Sequence, residues 1–88
     1  KIDKEFQKNG ILIFDNEPRN RQIHMKIDDA IEDGWTVCIW DDRRVTDYKD
    51  INDMVMAGIS ADEVKDIILE NAYNGLSAKA KFQEWKKI

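Results

Sequence analysis

The hydrophobic pattern of the chain begins with a continuous apolar run at residues 11–14, Ile-Leu-Ile-Phe, between Gly10 and the polar sequence Asp-Asn-Glu-Pro. A short run that is apolar on both faces is typical of a strand buried in a parallel sheet. A second run at residues 35–40, Trp-Thr-Val-Cys-Ile-Trp, is rich in β-branched and aromatic residues. Such residues favour the extended conformation, so this run predicts a second strand.

Between the two runs, the apolar residues recur with the period of a helix. Ile23, Ile27 and Ile31 follow one another at intervals of four residues, which places them on one helix face. Pro18 suits the first turn of this helix, and Gly34 suits its end. Strand, helix and strand together predict a βαβ unit, which is right-handed and has parallel strands.

The pattern after residue 49 is helical. We predict three helices, beginning at Asp50, Ser60 and Ser77, and we expect the first to end at residues 57–58 and the second at 74–75. Ser60 and the Glu three residues later form a capping-box pattern. The buried faces of the last two helices are predicted at Val64, Ile67, Ile68 and Ala72, and at Ala78, Phe82 and Trp85.

These elements predict an α/β fold in a single module of residues 1–88. We expect a helix tail at residues 1–10, a βαβα unit at 11–58 and C-terminal helices at 59–88. Two strands do not form a stable sheet of this kind alone. We therefore expect either further strands upstream or another surface against which the module packs.

Composition narrows the class of protein. The chain has 88 residues and a formal charge of −4, with one cysteine, Cys38, and one histidine, His24. A single cysteine excludes an internal disulfide, and one Cys with one His excludes a Cys/His metal site. The chain has no apolar run approaching the roughly 20 residues of a membrane span, and no signal peptide is recognisable. We therefore expect a soluble protein of the cytoplasm with no membrane partner. The first residue, Lys1, suggests a fragment.

Charge is segregated along the chain. Residues 28–70 contain 13 acidic side chains against four basic ones, whereas residues 71–88 contain four lysines and one glutamate. Most of the central acids are expected to lie on solvated helix faces and at helix caps. Because the ends of the chain are basic, the net acidity does not exclude a nucleic-acid partner.

Candidate chemistry lies where the predicted strands end, since ligands bind at the carboxyl ends of parallel strands. Asp15 and Glu17 follow the first strand, and residues two apart in an extended segment point the same way. Asp41 and Asp42 follow the second strand, and the region from Asp47 to Asp53 lies just beyond them. Carboxylate oxygens of this kind suit Mg²⁺. The alternative is structural: Asp15 caps the following helix, Glu17 favours its dipole, Asp50 caps the next one, and Asp41 and Asp42 are loop acids.

Other side chains carry less specific signals. Arg19 and Arg21 either hold a phosphate chain or are solvated. His24 lies off the isoleucine face and is expected at the surface. Cys38 is expected as a small buried residue. The three tryptophans and three methionines are expected to fill the core.

The order of these motifs resembles the second half of a Toprim domain, in particular that of the primases of T-even-type phages. The resemblance covers residues 11–88. It is carried by the apolar strand leading into Asp-Asn-Glu-Pro-Arg-Asn at 15–20, then a helix, a strand and Lys-Asp-Ile-Asn-Asp-Met at 49–54. The ending, Asn-Gly-Leu-Ser at 74–77 followed by Trp-Lys-Lys at 85–87, is also similar.

The resemblance implies a partial Toprim-like, Rossmann-like sheet and a set of functional residues. Asp15 and Glu17 would be the catalytic, metal-binding carboxylates, with Glu17 where the family's Asp-x-Asp motif has its second Asp. Asp50 would be a further ligand or would orient metal-bound water. The cofactor would be Mg²⁺, with Mn²⁺ as a substitute. Arg19 and Lys49 are the expected phosphate contacts.

The sequence also departs from the family's pattern. An earlier strand that ends in Glu-Gly, whose Glu serves as acid and base in the family, has no counterpart upstream of Ile11. The zinc-binding module of primases is also absent. The resemblance therefore implies a fragment that does not synthesise primers alone.

Three hypotheses for function remain. The first is part of a primase that makes short RNA primers from ribonucleoside triphosphates on single-stranded DNA by Mg²⁺-dependent nucleotidyl transfer, in the cytoplasm of the phage's host. The second is a non-catalytic module that docks the primase on the replicative hexameric helicase. The third, a receiver-like Mg²⁺-binding domain, is disfavoured because a full five-stranded sheet does not fit in 88 residues.

Overall fold

The structure is a computed structural model that describes residues 10–87 of the chain. The helix tail predicted at residues 1–10 therefore lies outside the described residues, apart from Gly10. The elements in chain order are β1 (Ile11–Ile13), α1 (Arg21–Glu32), β2 (Thr36–Cys38), a 3-10 turn (Arg43–Val45), α2 (Ile51–Met56), α3 (Ala61–Glu70), β3 (Ala72–Tyr73) and α4 (Gly75–Trp85).

The predicted βαβ unit is confirmed. β1 and β2 pair in parallel, with Leu12 opposite Val37, and α1 connects them. Both strands contribute apolar side chains to the core, and Val37 is fully buried. The α/β fold class is therefore as predicted from the two apolar runs, with a small sheet compatible with part of a Rossmann-like unit.

A third strand makes the sheet mixed rather than wholly parallel, which corrects the prediction of a parallel sheet. β3 pairs antiparallel with β2, with Ala72 opposite Cys38, so the strand order is β1-β2-β3. The sequence pattern predicts Ala72 on the buried face of a helix, and this prediction is wrong. That helix, α3, ends earlier because the Asn71 side chain donates to the backbone carbonyl of Ile67 at 2.8 Å, and such local bonds compete with helix continuation. The chain then extends, and the carbonyl of Asn71 accepts a hydrogen bond from Ile39.

The start of α1 differs from the prediction. Asn20 is its N-cap, and its side chain accepts hydrogen bonds from the backbone N–H groups of Gln22 and Ile23. Pro18 therefore precedes the helix instead of lying in its first turn, and Asp15 does not cap it. The end of α1 is as predicted, since Gly34 has φ of +88° and follows the C-cap, where a residue without Cβ is favoured.

The later helix starts are confirmed in two of three cases. Asp50 caps α2 by accepting from the N–H of Asp53 at 2.9 Å, and Ser60 caps α3 by accepting from the N–H of Glu63 at 3.2 Å. Ser77 is not a cap. α4 begins at Gly75, two residues earlier, and the Ser77 hydroxyl donates to the carbonyl of Asn74.

The core lies where α1, α4 and β2 meet, and α2 packs on α3 beside it. All three tryptophans are buried as predicted. Met54 is also buried, but Met25 and Met56 are 67% and 78% exposed, so the prediction for these two is wrong. Met25 follows Ile23 by two residues, about 200° around the helix, and therefore faces away from the buried stripe.

Cys38 is buried in β2, as predicted. Burial raises the pKa of its thiol to about 12, with a smaller contribution from the negative charge of Asp42. The thiol is therefore protonated at neutral pH and unreactive, which is consistent with a purely structural role.

Within residues 10–87, no helix is both long and apolar enough to cross a membrane.

Candidate functional site

The segment at residues 15–18, which we call the carboxylate turn, leaves β1 at the carboxyl edge of the sheet. Trp40, just beyond β2, donates its indole N–H to the backbone carbonyl of Phe14 at 2.8 Å. Trp40 is only 3% exposed, so this bond is shielded from water. The carboxyl ends of β1 and β2 are thus joined at one edge, as parallel pairing requires.

Asn16 fixes the position of the carboxylate turn. Its side-chain amide donates to the carbonyls of Val45 and Tyr48, at 2.9 and 3.0 Å. Its side-chain oxygen accepts from the indole N–H of Trp85 at 3.0 Å. Its backbone N–H donates to the carbonyl of Lys49. Asn16 therefore ties the turn to the chain before α2 and to the end of α4.

The far end of the turn is held at Pro18. Its carbonyl accepts from the backbone N–H of Lys87 at 2.8 Å and lies 2.6 Å from Nε2 of His24. Because a carbonyl only accepts, Nε2 of His24 carries the proton. The His24 ring also lies edge-on to the rings of Phe82 and Trp85, with centroids 5.7 and 5.8 Å away. The prediction of a surface histidine is therefore wrong, because α4 covers this side of α1.

Asp15 and Asp50 line one cleft of about 310 Å³, together with Ile13, Phe14, Ile51 and Asn52. The Asp15 carboxylate makes no hydrogen bond or ion pair with any of residues 10–87. Asp50 uses Oδ1 to cap α2, which leaves Oδ2 available. The structure thus brings together two of the three predicted metal ligands, from separate parts of the chain.

Glu17 does not line this cleft. Its backbone N–H donates to the carbonyl of Asp15 at 2.9 Å, which closes a tight turn. The expectation that the two side chains share a direction assumed an extended backbone, and a bond between residues two apart marks a γ-type turn instead. The ligand role of Glu17 stays a prediction.

The donor set of the cleft suits Mg²⁺. A magnesium ion keeps several water ligands and is bound by one or two carboxylates, and Asp15 and Asp50 supply two. In the part of the chain that the structure describes, no three His, Cys, Asp or Glu side chains are close enough together to hold a metal. The arrangement is thus unlike the protein-rich cages of structural Zn²⁺ or EF-hand Ca²⁺ sites.

The predicted phosphate contacts, Arg19 and Lys49, are both exposed, and neither lines the cleft of Asp15 and Asp50. Lys49 contributes through its backbone, whose carbonyl accepts from Asn16. Phosphate binding by their side chains stays a prediction.

Asp42 has a structural role, as predicted for a loop acid. Its carboxylate accepts from the backbone N–H and guanidinium of Arg44, with the shortest distance 2.6 Å, and from the side chain of Asn71 at 2.9 Å. These bonds, those from the Arg44 side chain above all, hold the pKa of the Asp42 carboxyl well below its usual range. They join the 3-10 turn to the end of α3.

Asp42→Asn is expected to lower the free energy of unfolding by about 2 kcal/mol at pH 7, because charge-assisted bonds to a mostly buried carboxylate are lost. The folded-state pKa lies below the unfolded value of about 3.9, so this stabilisation is present above about pH 4 and is lost as the pH falls further. Urea unfolding at several pH values should show the difference from wild type shrinking in acid. Asp41→Asn, which removes an exposed ion pair to Lys81, should cost under about 1 kcal/mol. Equal effects of the two changes at pH 7 would contradict this assignment.

Sequence reasoning missed Asn16 and the indole N–H of Trp85 as parts of the site. Side-chain alternation gave no reliable signal for Asn16, because it holds only for an extended backbone and residues 15–17 form a tight turn. No sequence signal identified Trp85 as its partner, since the two residues are far apart in the chain.

No protein-family model matches the chain. Over 84 residues, the chain is 27% identical to the DNA primase of Enterobacteria phage T4, a match that covers 94% of this chain and 24% of that primase. This similarity supports a relationship to a phage primase. The chain spans about a quarter of the length of that protein. The Toprim resemblance stays a prediction.

Proposed function

We propose that this chain is the metal-binding part of a DNA primase that makes short RNA primers on single-stranded DNA during phage replication. The observation that carries the proposal is that Asp15 and Asp50, distant in sequence, line one cleft at the carboxyl edge of the sheet. The similarity to the T4 primase supports the same class of reaction.

In this proposal Asp15 and Asp50 hold Mg²⁺, or Mn²⁺ in its place. Glu17, in the same turn but outside the cleft, is a third candidate ligand whose role the Glu17→Gln variant tests. A metal held by these residues would supply activation of the 3′-hydroxyl of the growing primer and would offset the charge of the incoming ribonucleoside triphosphate. The protein's part is to keep the turn in place through Asn16. Ile13 and Ile51 give the cleft two apolar lining residues.

The proposal concerns one part of a larger activity. Because the chain corresponds to about a quarter of the T4 primase, we expect it not to synthesise primers alone. The acid and base of the reaction, the template contacts and the site that engages the replicative hexameric helicase are proposed to lie wholly or partly outside residues 10–87.

The test is primer synthesis by the longer protein that carries this sequence. Asp15→Asn should reduce RNA primer formation from ribonucleotides on single-stranded DNA by at least about 100-fold, because a metal ligand acts on the transition state. Binding of single-stranded DNA should be unchanged. Asp28→Asn, which removes an exposed carboxylate of α1, should have no effect on priming.

If priming survives both Asp15→Asn and Glu17→Gln, the catalytic assignment is wrong. If helicase capture is then also lost on deletion of residues 60–88, the result would favour the alternative of a docking module. This set of variants thus distinguishes a catalytic part of a primase from a helicase-docking module.

A further inference from the structure

A second cleft, of about 290 Å³, is lined in part by Asn16 and Pro18 of the carboxylate turn. Adjacent residues of the carboxylate turn line the two clefts, Asp15 the first and Asn16 the second. Four charged side chains line the second cleft: Asp41, Asp42, Arg43 and Lys87. What this cleft can bind depends on which of these charges is already neutralised.

Both acids of the second cleft are paired with cations that do not line it. The Asp42 carboxylate is bound by Arg44, with N and O 2.6 Å apart, and by Asn71. The Asp41 carboxylate lies 3.2 Å from the ammonium of Lys81. The pairing raises the pKa of Lys81, mainly through its bond to Asp41.

The two basic residues that line the cleft are Arg43 and Lys87. Neither the Arg43 guanidinium nor the Lys87 ammonium forms a hydrogen bond or ion pair with any of residues 10–87. Both side chains are exposed, but each starts from a fixed backbone. Arg43 begins the 3-10 turn that Asp42 caps, and the N–H of Lys87 donates to the carbonyl of Pro18. The positive charge that faces the cleft is therefore available to a ligand.

We propose that the second cleft binds a phosphate group, with Arg43 and Lys87 as the binding residues. A guanidinium offers paired N–H donors that match phosphate oxygens, and an ammonium adds a point charge. This assignment differs from the sequence-based candidates Arg19 and Lys49, which do not line the cleft. The proposal of a phosphate site rests on the proposed function in one respect, the source of the phosphate. That source is either a nucleoside triphosphate or the backbone of a DNA strand.

The first test is an NMR titration of the chain with inorganic pyrophosphate, with divalent metals removed by chelation. Amide shifts should concentrate at residues 43–46 and 85–87 and include the indole N–H of Trp85. Arg43→Gln and Lys87→Gln should each weaken binding about threefold to tenfold, as expected for loss of one charged contact. Lys26→Gln removes the same charge from the exposed side of α1 and should change affinity less than about twofold.

A second set of titrations identifies the source of the phosphate. Binding of a ribonucleoside triphosphate that is weakened by the two cleft variants assigns the site to nucleotide. Binding of oligothymidylate, with a salt dependence whose slope falls by about one for each cation removed, assigns it to a DNA strand.

The proposal is overturned if none of the three probes shifts the cleft amides below about 10 mM. It is also overturned if Lys26→Gln or Arg19→Gln weakens binding as much as Arg43→Gln does. Because no metal is present, a failure of metal binding would defeat the proposed function and leave this result standing. Conversely, Arg43→Gln should leave Mn²⁺ binding at Asp15 unchanged.

Discussion

Asn16→Asp is expected to lower the free energy of unfolding by about 3 kcal/mol at pH 7, although the side chains have nearly the same shape. The amide nitrogen of Asn16 donates to the carbonyls of Val45 and Tyr48. A carboxylate at this position places an anionic acceptor against two carbonyl acceptors. The carbonyl of Val45 then keeps only the hydrogen bond from the backbone N–H of Tyr48, and both carbonyls lose the bond from the amide. Of the bonds made by the Asn16 side chain, only the one accepted from Trp85 would survive.

The loss of stability in Asn16→Asp is expected to depend on pH. Repulsion from the two carbonyls favours the protonated form of the introduced carboxyl, so its folded-state pKa lies above the unfolded value of about 3.9. For a group with a raised folded-state pKa, the unfavourable term is absent below the unfolded pKa and grows as the pH rises through the folded one. The variant should therefore approach wild-type stability below about pH 4, where a protonated carboxyl can donate one hydrogen bond.

Urea unfolding followed by tryptophan fluorescence between about pH 3 and pH 7 measures both effects. Asn20→Asp is the matched control, because Asn20 only accepts hydrogen bonds at the start of α1 and a carboxylate caps a helix equally well. It should change stability by less than about 0.5 kcal/mol. An Asn16→Asp protein as stable as wild type at pH 7 would show that the turn is not held through this amide.

The parts of the fold that could be predicted are those set by local pattern. The apolar run before Asp15 and the isoleucine spacing of α1 each predict one element, and the βαβ connection then determines parallel pairing. β3 has no such signal, since it has only two residues and owes its extended form to pairing with β2. The sequence does not determine the start of α1, because Pro18 and Asn20 are both typical of helix starts and only the hydrogen bonds of Asn20 decide between them.

The carboxylates of the candidate site could be proposed from the sequence, but the hydrogen bonds that hold them in place could not. Its place after the first strand indicates Asp15, whereas the Toprim resemblance implies Asp50, and the structure brings both to one cleft. The bonds that fix the turn do not follow, because they join Asn16 to Val45, Tyr48 and Trp85 across the tertiary structure. The indole ring of Trp85 could be assigned to the core from helix periodicity, whereas the direction of its N–H could not.

Asp15→Asn is expected to weaken divalent metal binding by at least about tenfold, which is the second large effect. Mn²⁺ added to the isotope-labelled chain should broaden amide signals near residues 13–16 and 50–52, since these segments line the cleft. Asn has one neutral oxygen in place of a carboxylate, so the variant should lose most of this broadening while keeping the same turn.

Asp50→Asn should have a comparable effect on metal affinity without melting α2, because Asn is as good an N-cap as Asp. Asp28→Asn, on the exposed side of α1, should leave the broadening pattern unchanged. Glu17→Gln tests whether Glu17 is a ligand. If it lowers the metal affinity as much as Asp15→Asn does, the Glu17 side chain reaches the metal. If it lowers the affinity by less than about threefold, Asp15 and Asp50 suffice. If Mn²⁺ broadens the cleft amides of wild type and Asp15→Asn equally, or broadens signals beside every exposed carboxylate alike, the carboxylate turn is not a metal site.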